Sequence, residues 1–261
     1  MIWNTQMIAR IFLIFTLVWF TGCATTDDKP ASITEEGDAA ELFSKGKKQM
    51  RNKNYLLAIE KFEALVSRYP FGVYAQQAQL EIAYANYASA EPDIAIAQAD
   101  DFIKLNPQHT HVDYAYYIKA LANFKRFEGA FDRFVPRDFS DLDPNPYRQS
   151  FLDFKLLVQQ FPESRYAPDA EQRMVYLRNI LARHELNVAD FYYRKGAYVA
   201  VSNRCQYLLE TFEGSDSIPE ALVLLAKAYN KLNLEDSYND TVRLIELNYP
   251  HELEQLEGLR S

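Results

Sequence analysis

Residues 46–70 read GKKQMRNKNYLLAIEKFEALVSRYP, and their spacing decides the fold. Counting from Gly46, the residues Tyr55, Ala58, Phe62 and Pro70 follow at 9, 12, 16 and 24 positions. The apolar set Tyr55, Ala58, Ile59, Phe62, Leu65, Val66 and Tyr69 recurs at the helical period, with Glu60, Lys61, Glu63 and Arg68 on the remaining surface. A small Ala58 lets a second helix approach closely, and Phe62 fills the space between neighbouring hairpins. Pro70 ends the helix, because it lacks an N–H and disfavours the helical conformation of the residue before it.

That spacing is the tetratricopeptide pattern, and the rest of the chain repeats it. Pro70, Pro107 and Pro162 are each followed eight residues later by alanine, at Ala78, Ala115 and Ala170, and Glu213 is followed by Ala221 at the same distance. Tyr-Ala also recurs in two of these corners, as Tyr74-Ala75 and Tyr166-Ala167. The second helices of the hairpins are expected to end near Tyr69, Asn106, Phe161, Phe212 and Tyr249, at intervals of 37, 55, 51 and 37 residues. The two long intervals imply insertions: a loop from Phe131 to Pro146 in repeat three, and a long first helix from about Pro168 to Arg194 in repeat four, broken by Gly196. No segment alternates with period two, so no sheet is expected. The reading is an all-α helical solenoid of about five pairs in one domain, 39–250. Its repeats fall at about 39–70, 74–107, 111–162, 166–213 and 217–250, with a C-terminal tail from 251 to 261. Each pair buries its apolar face only against its neighbours, and stacking is expected to give one continuous core.

Ahead of the repeats, Arg10 precedes an apolar run from Ile11 to Phe20. About ten residues are too few for a membrane-spanning helix, which needs about 20, but they suit the core of a secretory signal. Phe20-Thr21-Gly22-Cys23 then places a small residue before a cysteine, the pattern of a bacterial lipoprotein signal with Phe20 where leucine is commoner. Residues 1–22 are expected to be removed and Cys23 to be acylated, giving an anchor of several acyl chains that holds stably where one would not. Ala24 rather than aspartate follows, which by resemblance to enterobacterial sorting points to the periplasmic face of the outer membrane. Residues 23–38 are acidic and without apolar period, as in a flexible tether.

The formal charge of −8 and the lack of a basic run exclude nucleic acid as a partner. Cys205 is the one cysteine besides Cys23, so no disulfide within the mature domain is expected. It stands at the position that Phe62 fills in repeat one, as a buried thiol would. Eight scattered glycines make no phosphate loop. His109 and His111 lack further metal ligands nearby. Asp141, Asp143 and Asn145 begin like a calcium loop, but Pro146 and Leu152 stand where its glycine and glutamate belong; Asp143 and Asn145 instead suit helix capping near Pro146-Tyr147. No nucleophile motif occurs, and neither catalysis, metal nor cofactor is expected. The 18 tyrosines and 17 phenylalanines exceed what a core of this size needs. Some are expected in the concave groove, near Lys47, Lys48, Arg51 and Arg68.

Several stretches are more specific than a generic repeat. Arg68-Tyr69-Pro70-Phe71-Gly72 with Tyr74, Gln76 and Gln77 resembles the first inter-repeat corner of the BamD family, lipoproteins of the outer-membrane β-barrel assembly machinery. Leu105-Asn106-Pro107 through Asp113-Tyr114, the Arg137-Asp138 to Asp143-Pro144 loop, and Arg173-Met174-Val175-Tyr176-Leu177 through Asn203-Arg204 are similar too. The resemblance runs from about Glu41 to Glu213. It implies that the N-terminal repeats receive unfolded outer-membrane protein precursors by their C-terminal strand, that the C-terminal repeats grip the periplasmic domains of the barrel-forming subunit, and that accessory lipoproteins can join. Arg68, Tyr69, Phe71 and Tyr74 are the expected substrate-peptide site, with Tyr74 the foremost. Arg204, expected to point away from the core, is the expected partner contact. The competing readings are a pilotin or an adaptor for murein hydrolases, for which plainer repeats would be expected, and a repeat-scaffolded enzyme, which lacks its catalytic residues here.

Overall fold

The computed structural model describes residues 35–126 and 143–259, which form α-helices joined by tight turns and one closing 3₁₀ segment. In order they are α1 (Glu35–Arg51), α2 (Tyr55–Arg68), α3 (Val73–Ala88), α4 (Pro92–Leu105), α5 (Val112–Lys125), α6 (Asn145–Gln160), α7 (Ala167–Arg194), α8 (Tyr198–Thr211), α9 (Ile218–Lys231) and α10 (Glu235–Asn248). Consecutive helices pack together from α2 onwards, and the first helices of adjacent pairs also meet, α3 with α5 and α7 with α9. This is the expected helical solenoid of five pairs, over residues Ala39–Ser261 as one compact unit.

The turns show why the repeat length is kept. Four of the hairpins close with the same motif: a residue in the left-handed region (Lys53, Ala90, Gly196, Asn233), whose successor donates its N–H back five residues, as Asn54 does to Gln49, Glu91 to Asn86, Ala197 to Tyr192 and Leu234 to Tyr229. This Schellman arrangement satisfies carbonyls that the helix end leaves open. The second helices end at Tyr69, Asn106, Phe161, Phe212 and Tyr249, each with its N–H on the carbonyl four residues back. Those carbonyls belong to Leu65, Phe102, Leu157, Leu208 and Ile245, all at most 1 % exposed. One apolar residue per repeat thus both closes the helix and anchors it, contributing roughly 1.5–3 kcal/mol by burial.

The alanines eight residues past each corner, Ala78, Ala115, Ala170 and Ala221, are all fully buried, as are Ala58 and Phe62. Gly46 is needed for a related reason: a Cβ there would lie 2.5 Å from the Phe62 ring. The buried residues gather in four clusters, not one continuous core. The largest runs from α5 to α9, and half-buried tyrosines (Tyr87, Tyr116, Tyr117) pack along its edge. Half-buried Leu209 and Ile218 pack against both this cluster and the one that α9 and α10 form with Leu256.

Three further differences from expectation are local, and one feature is new. Pro146 and Asn145 belong to the first turn of α6, so the repeat-three loop is shorter at its end than expected, and its residues 127–142 lie outside the described ones. Neither expected residue is the cap: Pro144 holds that position without a side-chain bond, Asp143 one residue earlier accepts from the Asn145 N–H at 3.1 Å, and Asn145 is itself helical. Residues 251–259, part of the expected tail of 251–261, wind together with Pro250 into a 3₁₀ segment whose Leu256 is fully buried against α9 and α10. Finally, a polar clasp joins pairs two and three: Lys119 reaches Asp100 at 2.8 Å and Asp153 at 3.7 Å, and Asn123 donates to Asp153 at 2.8 Å. Desolvation lifts the Asp153 carboxyl above the usual range even against the pull of Lys119.

Candidate functional site

Between the first helices α1, α3 and α5 and the start of α7 lies a groove of about 670 Å³. Phe43, Met50, Leu80 and Tyr84 supply apolar wall, with Tyr114 and Tyr166 opposite. The tyrosines form a ladder. Tyr84 lies 6.4 Å from Tyr114, Tyr114 stacks on Tyr166 at 5.2 Å, and Tyr166 stacks on Tyr117 at 4.7 Å. Arg165 covers the Tyr166 ring at 4.7 Å, within the range of a cation–π contact. Burial pushes the Tyr114 hydroxyl far above its ordinary range, with Glu81 and Tyr166 adding to the effect, so it stays a neutral donor.

Cations line the same space. Lys47, Arg51, Lys53 and Arg165 face it, against one carboxylate, Glu81. Lys47 is held by Glu81 at 2.7 Å. Arg51 and Lys53 have no ion-pair partner among the described residues, so their charge is available to an anionic ligand. At the far end of the ladder Tyr117 donates to Asp169 at 2.6 Å, and Arg173 donates to the same carboxylate. Desolvation works to raise the Asp169 carboxyl, but the bonds from Arg173 and Tyr117 outweigh it and hold it below the usual range. Burial, reinforced by that hydrogen bond, pushes the Tyr117 hydroxyl up to about 12.

The residues expected from sequence are distributed otherwise. Arg68, Tyr69 and Phe71 are not walls of this groove. Arg68 lies exposed over the Tyr69 ring, 5.5 Å from its centroid. Phe71 is 91 % exposed, so it does not staple repeat one to repeat two. Tyr74, expected to be the foremost contact, is half-buried against Phe43 at 5.6 Å and meets the groove only through that ring. Lys47 and Arg51 do line it. The tyrosine ladder is foreshadowed only by composition, because Tyr84, Tyr114 and Tyr166 occupy different offsets from the corner prolines. Tyr74 and Tyr166 hold equivalent corner positions, yet one turns to Phe43 and the other to the ladder.

Arg204 on α8 is not a free surface cation. It donates to Glu185 of α7 at 2.9 Å, and Arg148 of α6 stands 3.8 Å from the other oxygen. The Glu185 side chain is 5 % exposed and the two arginines about half so, at 45 % and 43 %. Cys205 beside it is fully buried, and burial pushes its thiol up to about 12, out of nucleophile range. His109 packs edge-on to Phe102 at 5.2 Å, and burial lowers its basicity. Among the described residues no three His, Cys, Asp or Glu side chains gather around a metal position.

A stack of helix pairs with a cation-rimmed aromatic groove along its first helices defines a helical-repeat scaffold. A family profile described as YfiO, outer membrane lipoprotein, matches residues 35–244, and the chain belongs to that family. A Neisseria meningitidis protein named outer membrane protein assembly factor BamD is 38 % identical over 232 residues, covering 88 % of this chain and 87 % of its own. Relatives of the same name from Vibrio cholerae and Xylella fastidiosa are 36 % identical (87 % and 92 % covered) and 34 % identical (94 % and 83 % covered). The resemblance carried by the corner and the long fourth-repeat segment is thus borne out, and with relatives named for assembly the chain is a scaffold, not an enzyme. A solved structure, of MamA protein, aligns over 84 % of this chain and 92 % of its own at 17 % identity and a TM-score of 0.31, too low to bear on the fold.

Proposed function

We propose that this chain is an assembly factor for outer-membrane proteins, anchored by acylated Cys23 at the periplasmic face of the outer membrane. It binds unfolded precursors at its N-terminal repeats and the periplasmic domains of the barrel-forming subunit at repeats four and five, and so promotes barrel folding and insertion. Accessory lipoproteins share the complex. The names of the relatives support the assembly role, and among the described residues no helix is long and apolar enough to cross a membrane. Cys23 itself lies outside the described residues.

The observation that carries precursor binding is the groove. A precursor's last strand offers aromatic side chains and a free carboxylate; the Tyr84–Tyr114–Tyr166 ladder offers flat apolar area with hydroxyls, and Arg51 and Lys53 offer unpaired charge. The exposed corner of Arg68, Tyr69 and Phe71, continuous with the groove through Tyr74 and Phe43, guides the strand's approach. The test is crosslinking from photoreactive residues at positions 77 and 71 to a peptide copying a barrel's last strand. Controls lack either the terminal aromatic or the free carboxylate. Strong crosslinking from position 77, several-fold weaker with either control, is expected. Equal crosslinking of all three peptides would remove the groove as the reader of this signal.

A further inference from the structure

On the opposite side of α3 lies a second groove, of about 360 Å³, between α2, α3 and α4. Its α3 residues, Gln79 and Ile82, stand on the helix face turned away from Gln77, Glu81 and Tyr84. It is therefore separate from the tyrosine ladder, and its role is independent of precursor binding there. Val66, Ile82 and Phe102 make its floor, and Leu105, a large apolar residue 72 % exposed, forms its lip. The charged lining is all of one sign, and the other polar residues, Ser67, Gln79 and Gln98, are neutral. Glu63 and Asp101 bring two carboxylates with no ion-pair partner among the described residues, and no cation lines the groove. The side-chain oxygen of Gln79 is buried there with no hydrogen-bond partner.

A buried amide oxygen without a donor is costly in a folded protein, and such groups are ordinarily satisfied. Here it shares a concave, apolar-walled space with two open carboxylates. These three are acceptors and two of them carry charge, while Ser67 and Gln98 beside them are neutral, so the ligand that complements the groove is a positively charged donor. An arginine head carries five N–H donors in a planar fork and is more weakly hydrated than an ammonium, so it loses less on entering an apolar-walled groove. Its aliphatic stem and its neighbours in sequence would cover Val66 and Leu105. We infer that this groove docks an arginine flanked by apolar residues on a segment of another protein, the guanidinium meeting Glu63, Asp101 and the Gln79 oxygen.

The test uses the full-length chain in detergent and a fluorescein-labelled peptide with one central arginine between leucines, read by anisotropy. Its counterpart carries citrulline, which keeps the shape and loses the charge. The arginine peptide should bind about tenfold more tightly than the citrulline one, the size expected for charge-assisted hydrogen bonds. Glu63→Gln with Asp101→Asn should abolish that difference, while Glu235→Gln with Asp236→Asn, an equal charge change on exposed α10, should leave it intact. Gln79→Met should weaken the arginine peptide without lowering the melting temperature, because it removes an unsatisfied acceptor rather than a contact within the fold. Equal binding of the two peptides overturns the inference, as does an undiminished difference in the Glu63/Asp101 variant or an equal loss in the α10 control.

Discussion

At the scale of single residues, the tightest constraint is Gly46. Its missing Cβ leaves room for the Phe62 ring, which would otherwise sit 2.5 Å away, well inside contact distance. Gly46→Ala should therefore destabilise by roughly 1–3 kcal/mol through overpacking, and Phe62→Leu, which withdraws the ring, should make the second change less than additive. Urea unfolding of the two single variants and the double variant measures the coupling; strict additivity would place the strain elsewhere. Glu185 sets a second constraint. A carboxylate 5 % exposed depends on Arg204 at 2.9 Å, so Arg204→Glu puts two acids together and should cost roughly 2–4 kcal/mol. That variant is unsuited to testing a partner contact. Arg204→Gln, which keeps a donor near Glu185 and should cost about 1 kcal/mol, is the one in which weaker co-purification of the barrel-forming subunit would report the interface rather than the fold.

At the scale of helices and turns, one backbone device recurs: each of four hairpin turns needs a residue in the left-handed region, and only one of the four is glycine. Lys53, Ala90 and Asn233 adopt φ of 59°, 65° and 58°, where a β-carbon crowds the following carbonyl. Alanine, with no side-chain polar group to compensate, is the worst placed. Ala90→Gly should raise stability by roughly 0.5–1 kcal/mol, the relief of strain exceeding the added freedom of the unfolded chain. The reverse change at Gly196, φ 71°, should lower it by a similar amount, since a β-carbon there meets nothing within 4 Å and only strain acts. Thermal melts of both variants check the sign. A fall for Ala90→Gly would show that the turn's strain is already taken up by its neighbours.

At the scale of the whole molecule, an acidic chain of net −8 keeps Lys47, Arg51, Lys53 and Arg165 on one groove, so that surface attracts anionic groups although the chain as a whole is negative. The proposed anchor at Cys23 would fix where the groove works. Cys23→Ala should yield a chain that takes up no acyl label and fractionates with the soluble periplasmic proteins, checked by palmitate labelling and membrane flotation. Persistent flotation with label intact would rule out this cysteine as the anchor.

The repeat can be read from one stretch because its determinants are local: Ala58, Phe62 and Pro70 act within a few turns of helix, and the same offsets at Ala78, Ala115, Ala170 and Ala221 each end in a fully buried alanine. The ends of four second helices are legible for the same reason, since Tyr69, Asn106, Phe161 and Tyr249 each precede a proline, which disfavours the helical conformation there; Phe212 ends the remaining one before a glutamate. The groove is not legible. Tyr84, Tyr114 and Tyr166 come from separate helices and corners at unrelated offsets, and only the stacking of pairs brings successive rings within 6.4 Å of one another. Nor can sequence tell that Arg204 belongs to Glu185, 19 residues back, or that Tyr74 turns to Phe43 while Phe71 stays in solvent. Periodicity states which face of a helix is buried. Which side chain meets which across two helices depends on how the pairs are stacked, and that packing is decided only in three dimensions.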